Sequence, residues 1–541
     1  MGGLMVLGYA ALTLLFQTAQ MWVTPSVITA RWNVASRIAY ALLPDAWLNA
    51  TPRSGIAPWI VGAYLLLLAL LFLVYVRAAR RAYAAPHPTP EDGRKVLLLI
   101  LGVAGVSLLM LLMARAMLSP DIYSYVWNGR IGAMEGGNPY LEPPNNYLDR
   151  DLEGWMEWEV WNGALPCVYG PVWVVLAEGI AYLAQAVGGK ELAVHVLGHR
   201  LLADIAHLIN IWLMWRVAGE FRARMLGKVG NNEVVTRKWA GLQVGATLTY
   251  AWNPLVMLEF GLSGHNDAIM IAFLLVSIWL LLKGMWRWAA VALAAAALVK
   301  LMALLFFPFY LLWLWRISRG EGEEGEGSRR QEAAGAWAGL RTGVSRGGQA
   351  LAIVTVCWLL AMWPFGGPGA LFEALDGNPT VNLQINSVAA AILAGIPATL
   401  YASITPWVRW GQQALAGLLL AVVFWKCLRA AGWGVPSVVE GWGWALLVYF
   451  MVGAPWFWPW YVTWLFLPLA LVGTGRLWTA GQVLAASAIS IYAIFPPPAG
   501  LEGWENYTGL IVVLPTSLYL LASWLLDRGG PGRVTAEIHH T

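Results

Sequence analysis

Four ionisable residues sit where an apolar chain would not place them without a use: Asp121, His265, Asp267 and Lys300. Asp121 follows the apolar run Val96 to Met117, which ends at Ser119-Pro120. Proline stops a helix, so the carboxylate stands at the exit of a membrane span. Tyr123, Tyr125, Trp127 and Arg130 surround it in sequence, and Gly136-Gly137-Asn138-Pro139-Tyr140 supplies a turn. His265, Asn266 and Asp267 form a second turn between apolar stretches, and Lys300 lies inside a third. A positioned carboxylate can take a proton from an attacking hydroxyl. An ammonium inside a membrane segment can stabilise an anion, and such a residue is a functional candidate by default. Plainer roles exist for each. Asp121 could be a solvated helix end, Asp267 an N-cap for the helix starting at Ala268, and Trp456 to Trp460 an interfacial belt. Those unrelated roles would not need to share one side of a membrane.

The elements that must position these groups are membrane helices. The chain of 541 residues is 59% hydrophobic and 12% charged, against about 25% charged in soluble proteins. That excludes a soluble domain, and the basic residues form no run dense enough for nucleic acid. Cys167, Cys357 and Cys427 lack metal-ligand spacing and predict neither a zinc site nor a disulfide framework. Met1 to Trp22 lacks a positive n-region and reads as a membrane helix rather than a cleaved signal. Arg77, Arg80, Arg81, Arg94 and Lys95 mark a cytoplasmic loop. The next span therefore delivers Asp121 outside. The loop Ser119 to Gly170 is rich in carboxylates, and its segment Asp149 to Glu159 reads as a solvated amphipathic helix. Pro171 to Val187 is placed in or along the outer boundary without crossing, because the basic loop from Arg216 to Lys238 belongs inside. Leu242 to Phe260 runs outward as one span. Trp288 to Trp315 is too long for one span and too short for two, which predicts two short helices meeting near Lys300.

The whole predicts an all-α polytopic membrane protein with about fourteen transmembrane helices and extracytoplasmic juxtamembrane helices. An N-terminal pair occupies residues 1–95, and a catalytic module occupies 96–316 with a long outer loop at 119–198. A flexible Gly/Glu-rich cytoplasmic linker at 317–347 precedes a C-terminal bundle at 348–541. Asp121, the His265 turn, Lys300 and Trp460-Tyr461 all fall on the outer face under this topology.

This ordered set resembles the polyprenyl-phosphate-mannose-dependent mannosyltransferases of the GT-C class, including the actinobacterial α-1,6-mannosyltransferases and their relatives acting on phosphatidylinositol mannosides. The matching residues are Asp121-x-Tyr123, Gly137-Asn138-Pro139-Tyr140, Tyr169-Gly170-Pro171, Arg200-Leu201-Leu202, Asn253-Pro254, Gly264-His265-Asn266-Asp267, Lys300 and Trp460-Tyr461. The resemblance implies a GT-C fold in the plasma membrane and a polyprenyl-phosphate sugar donor. It implies a glycolipid or glycan acceptor on the extracytoplasmic side, inversion at the anomeric carbon, and neither a cofactor nor a required metal. Asp121 would be the base, with His265 and Asp267 assisting. Lys300 would stabilise the leaving phosphate, with Arg200 and Arg130 behind it. Tyr123, Tyr169, Asn266, Trp460 and Tyr461 would contact substrate. A transporter or flippase for a lipid-linked sugar is the alternative, since broken helices and an outer cavity suit that class too.

Overall fold

The computed structural model describes residues 1–18, 58–114, 118–147, 163–229, 239–318, 332–377, 385–430, 434–493 and 507–529. The expected amphipathic segment at 149–159 and residues 319–331 of the expected linker lie outside the described residues, whereas 332–347 is helical rather than flexible linker. Nineteen α-helices and several short 3-10 or π turns make up the described chain, with no strand among the described residues.

Of the first three helices, α1 (Gly2–Thr18) packs against both α2 (Pro58–Ala84) and α3 (Pro90–Leu112). Thr89 caps α3 by accepting from the Asp92 amide, and Pro90 opens its first turn. The chain does not carry one helix up to Pro120. It ends α3 at Leu112 and starts a new one, α4 (Asp121–Ala133), with Asp121 in the first turn. An anionic side chain suits that end of a helix.

Next come α5 (Pro171–Gly188) and α6 (Leu192–Val229). α4 and α5 run parallel, away from Asp121. Tyr125 packs on Trp173 with ring centroids 4.8 Å apart. A Cβ on Gly129 would stand 2.2 Å from the Ala177 carbonyl oxygen, so the two backbones touch. The start of α6 runs back beside them, with Gly198 over Ile180 and His199 against Trp173. By Arg200 the chain is again beside the ends of α3. α5 is long and apolar enough to cross a membrane. Yet α6 has 38 residues, about 57 Å, enough to return to the site and then cross alone.

The expected span from Leu242 to Phe260 is broken. α7 (Leu242–Ala251) stops before Asn253-Pro254, and α8 (Pro254–Gly261) restarts there. Asn253 caps α8 by accepting from the amides of Leu255 and Val256. The cause is Pro254, because proline cannot continue a helix without losing a bond. A tight turn leads into α9 (Asp267–Leu282). Gly264 takes φ +69° there, and any Cβ would press on Ile122 and Arg200.

The long apolar stretch around Lys300 divides as expected. α10 (Trp286–Ala297) ends, residues Leu301–Phe306 form a 3-10 segment, and α11 (Phe307–Ser318) continues. Lys300 itself is extended, at φ −150° and ψ 121°. The amides of Gly170 and Val172 donate to the carbonyls of Val299 and Leu298, at 3.0 and 2.9 Å. The start of α5 thus completes the broken helix.

Beyond the linker come α12 (Glu332–Met362), α13 (Ala370–Asp376), α14 (Val388–Ala394), α15 (Ala398–Arg429), α16 (Gly434–Val448), α17 (Phe466–Val472), α18 (Arg476–Ser490) and α19 (Thr508–Gly529). Ser387 caps α14 by accepting from the Ala390 amide. α15 is one continuous helix across Pro406. Residues on both sides of the linker share one core. Tyr83 donates to the Ala470 carbonyl and Asn253 to the Gln482 side chain.

Seven described helices are long and apolar enough to span a bilayer, and four shorter apolar helices accompany them. The molecule is an all-α, multi-pass membrane protein. Fourteen full-length spans are not reached among the described residues, because breaks such as those at Asn253-Pro254 and Lys300 divide apolar stretches into shorter helices.

Candidate active site

Lys300, at the junction of α10 and the 3-10 segment, extends its ammonium to Asp267, with Nζ 3.0 Å from Oδ1 and 2.9 Å from Oδ2. Asp267 is fully buried and Lys300 nearly so. Trp464, in the 3-10 turn Pro459–Leu465, donates its indole N–H to Asp267 Oδ1 at 2.5 Å. Asp267 is therefore not an N-cap. It is the first residue of α9, and its side chain holds the cation instead. The ammonium also lies 5.8, 5.4 and 5.7 Å from the ring centroids of Tyr169, Tyr461 and Trp464. Three rings around a desolvated cation attract it through their electron-rich faces.

Tyr169 links this cage to Asp121. Its hydroxyl donates to Asp121 Oδ2 at 3.4 Å while its ring faces the ammonium. Asp121 is half-buried at the start of α4, and its amide donates to Ser119 Oγ at 3.2 Å. Burial pushes its carboxyl up from the usual range to about 6. Lys300 counteracts that rise and Asp267 adds to it. A carboxyl held near 6 is a stronger base than an exposed aspartate, yet is still mostly ionised at neutral pH.

The His265 turn forms the opposite wall. The Tyr125 hydroxyl lies 3.3 Å from His265 Nδ1 and 3.3 Å from Asn266 Oδ1. Trp460 stacks on the imidazole at 4.2 Å between centroids, and Trp458 stacks on Trp460 at 5.2 Å. Trp460 thus packs on protein, and Tyr461 turns toward Lys300.

The other two cations are engaged elsewhere. Arg200 donates to the carbonyls of Leu111, Gly261 and, at 3.5 Å, Ala114, tying together the ends of α3 and α8. Arg130 pairs with Glu135 at 2.9 Å, both buried. Of the three cations expected to face a leaving group, only Lys300 sits with Asp121. Tyr123 is buried beside Arg200.

Sequence reasoning passed over three residues. In sequence, Tyr125 is one ring among many near the boundary, and Trp464 stands within an apolar run. Glu259 lies 3.3 Å from His265 Nε2 and is fully buried. Its signal was present: a carboxylate inside Pro254-Leu255-Val256-Met257-Leu258-Glu259-Phe260 is expensive in a membrane segment and rarely idle.

A multi-pass membrane protein with a carboxylate, a caged ammonium and stacked rings in one cluster at a helix break belongs with the integral-membrane enzymes or carriers of polar substrates. The comparisons narrow that class. A family described as alpha-(1->6)-mannopyranosyltransferase, N-terminal domain, matches residues 18–316, more than half of the chain. The chain belongs to this family. An alpha-(1->6)-mannopyranosyltransferase of Mycobacterium tuberculosis is 28% identical over 178 residues, which is 33% of this chain and 26% of that protein. Alpha-(1->6)-mannopyranosyltransferase B of Corynebacterium glutamicum is 24% identical over 443 residues, covering 78% of this chain and 66% of that protein. The chain thus spans about a quarter of one curated relative and just under two thirds of the other.

Proposed function

We propose that the protein is a membrane glycosyltransferase of the GT-C class. It moves a mannosyl unit from a polyprenyl-phosphate donor to a hydroxyl of a glycolipid or glycan on the extracytoplasmic side. The observation that carries this reading is Tyr169, which touches the Asp121 carboxylate with its hydroxyl and the Lys300 ammonium with its ring.

The chemistry follows from those two charges. The acceptor hydroxyl attacks the anomeric carbon from the face opposite the phosphate, and its proton passes to Asp121. The bond from the anomeric carbon to the phosphate oxygen breaks, and the leaving phosphate keeps the electron pair. Attack from one face and departure from the other inverts the configuration. A phosphate is a good leaving group and needs charge stabilisation rather than a proton. An ammonium has three N–H donors. Asp267 engages two of them, which leaves one for a phosphate oxygen. The low-dielectric surroundings strengthen that contact. Asp267 and Trp464 hold the ammonium in place, and Asn266 and Tyr461 are offered to the sugar.

The direct test incubates purified protein in lipid with labelled polyprenyl-phosphate mannose and candidate glycolipids. Labelled glycolipid is expected with the wild type, and Asp121→Asn should reduce it at least 100-fold while donor binding persists. Near-wild-type transfer by Asp121→Asn would remove the base assignment. Label that crosses the bilayer without a new glycosidic bond would mark a carrier instead.

A further inference from the structure

The backbone of Phe457 is tied to one short strip of chain just before α14. Its amide donates to the Ile385 carbonyl at 3.0 Å, and its carbonyl accepts from Asn386 Nδ2 at 3.0 Å. The Ile385 amide donates to the Pro455 carbonyl at 2.9 Å, so Ile385 and Trp456 form a single parallel bridge. Asn386 is buried and takes φ +52°, the one positive φ outside glycine among the described residues. Its Oδ1 accepts from the Thr508 hydroxyl at 2.6 Å, at the start of α19. A glycine would adopt that backbone at less cost. What asparagine adds is a carboxamide, which donates and accepts at once. The tie matters because of what the Phe457 segment carries. Ala454 and Trp458 are extended, between the π turn Tyr449–Gly453 and the 3-10 turn Pro459–Leu465. Pro455 and Pro459 have no N–H with which to anchor that segment. Two routes of packed rings lead from it to the site. Trp458 stacks on Trp460, which stacks on His265. Phe457 packs on Phe450 at 6.3 Å, Phe450 on Trp464 at 5.7 Å, and Trp464 donates to Asp267.

On the proposed function, we infer that Asn386 is a positioning residue for the transfer step. Its bond to the Phe457 carbonyl sets where the Pro459–Leu465 turn lies, and with it Trp464 against Asp267 and Trp460 against His265. Asp267 holds Lys300, so the tie at Asn386 fixes where the ammonium meets the leaving phosphate. A misplacement of about 1 Å at a reacting centre can cost about 100-fold in rate. The loss falls on the chemical step rather than on binding. The contact between ammonium and phosphate strengthens as the bond to the anomeric carbon breaks, so a displaced ammonium is missed most in the transition state. The surroundings hold Asn386 in its uncommon backbone conformation. A Cβ on Gly509 would stand 2.2 Å from the carbonyl oxygen of Ser387, so the start of α19 presses on the residue that follows Asn386. Such conformations persist where packing fixes them, and they cluster at functional sites. Ile385, Asn386, Phe457 and Thr508 all lie beyond the family-matched region 18–316.

The test measures thermal melting and steady-state transfer, in the same lipid, for wild type, Asn386→Gly, Asn386→Ala and Thr508→Val. Glycine keeps the backbone conformation and removes the carboxamide, whereas alanine removes it and adds strain. Valine at 508 takes one anchor from the carboxamide and leaves its bond to Phe457. Asn386→Gly and Asn386→Ala should lower kcat by a similar factor, about 5-fold or more, with KM for donor and acceptor within twofold. Asn386→Ala should nevertheless melt below Asn386→Gly. Thr508→Val should melt below wild type and keep kcat within twofold. Combining Asn386→Gly with Trp464→Phe should cost less than the product of the two single losses, because both act on the hold on Asp267. Asn386→Gly with kcat within twofold of wild type overturns the inference. So do kcat losses that follow melting temperature across the three variants, losses that appear mainly in KM, and losses that multiply in the double variant. If Asn386→Ala fails to fold, Asn386→Gly against Thr508→Val decides on the same criteria. Wild type without any transfer overturns the glycosyltransferase reading and this inference with it. Active wild type with an unaffected Asn386→Gly overturns this inference only.

Discussion

Asp121 faces two opposed demands. Its carboxyl is raised to about 6 by burial, so the ionised form that serves as base is disfavoured in the folded state. Transfer should fall as pH drops through about 6, and a pH–rate profile should show that acid limb. The linkage sign follows. A folded pKa above the unfolded one gives stability that is complete at low pH and lost as pH rises through the folded value. Asp121→Asn should therefore melt at or above the wild-type temperature at pH 7.5, and the gain should vanish near pH 4, as differential scanning would read. Lys300 carries the complementary risk. Lys300→Met strands the buried Asp267 carboxylate, and breaking such a pair costs about 3–5 kcal/mol. The Lys300→Met, Asp267→Asn double variant should recover much of the lost melting temperature while remaining inactive. Asp121, His265, Asp267 and Lys300 were legible in the sequence because each is polar in an apolar setting. Their partners were less so. Tyr125 and Trp464 are rings among many rings, and only the packing of α4 and of the Pro459–Leu465 turn separates them from interfacial anchors. Arg200 reads as a free cation until the exposed carbonyls of α3 and α8 are seen to claim it.

The elements show what the sequence encodes locally and what it leaves to assembly. Proline and the length of the Lys300 stretch carried their information in a single chain segment, so the helix division at Lys300 was readable. The break at Asn253-Pro254 obeys the same rule but was hidden by an apolar run of the right length for one span. The start of α4 at Asp121 depends on a helix end that hydropathy does not mark. The close approach of α4 to α5 has no sequence signal beyond Gly129 itself. A Cβ there would press on the Ala177 carbonyl, which is backbone and cannot yield. Gly129→Ala should destabilise by about 1–3 kcal/mol and lower transfer by tilting Asp121 away from Tyr169. Gly179→Ala on α5 meets nothing within 4 Å and should leave both unchanged. Comparing the two variants by thermal melting and transfer separates a packing effect from a general loss of helix flexibility.

At the scale of the whole molecule, the pocket draws on both sides of the linker. Asp121, Tyr169, Asp267 and Lys300 lie within the family-matched region 18–316, whereas Trp460, Tyr461 and Trp464 lie beyond it. Composition and hydropathy made the membrane class plain, but not that the later helices complete the earlier site, because contacts across such sequence distances leave no local pattern. Sidedness is open to a direct check. With Cys167, Cys357 and Cys427 replaced, Leu141→Cys should react with an impermeant maleimide added outside intact cells. Lys95→Cys should react only after permeabilisation. Both positions are exposed; labelling with the opposite pattern would place the pocket on the cytosolic face. The backbone bonds from Gly170 and Val172 to Val299 and Leu298 carry a consequence for biosynthesis. When the ribosome has delivered residues up to 300, the carbonyl end of α10 enters the bilayer unsatisfied and finds its donors only in a segment made more than a hundred residues earlier. The nascent chain must therefore keep that earlier segment docked and waiting. Substitutions at Gly170 would then appear as failed membrane insertion and rapid turnover of the polypeptide, before any defect in catalysis could be measured.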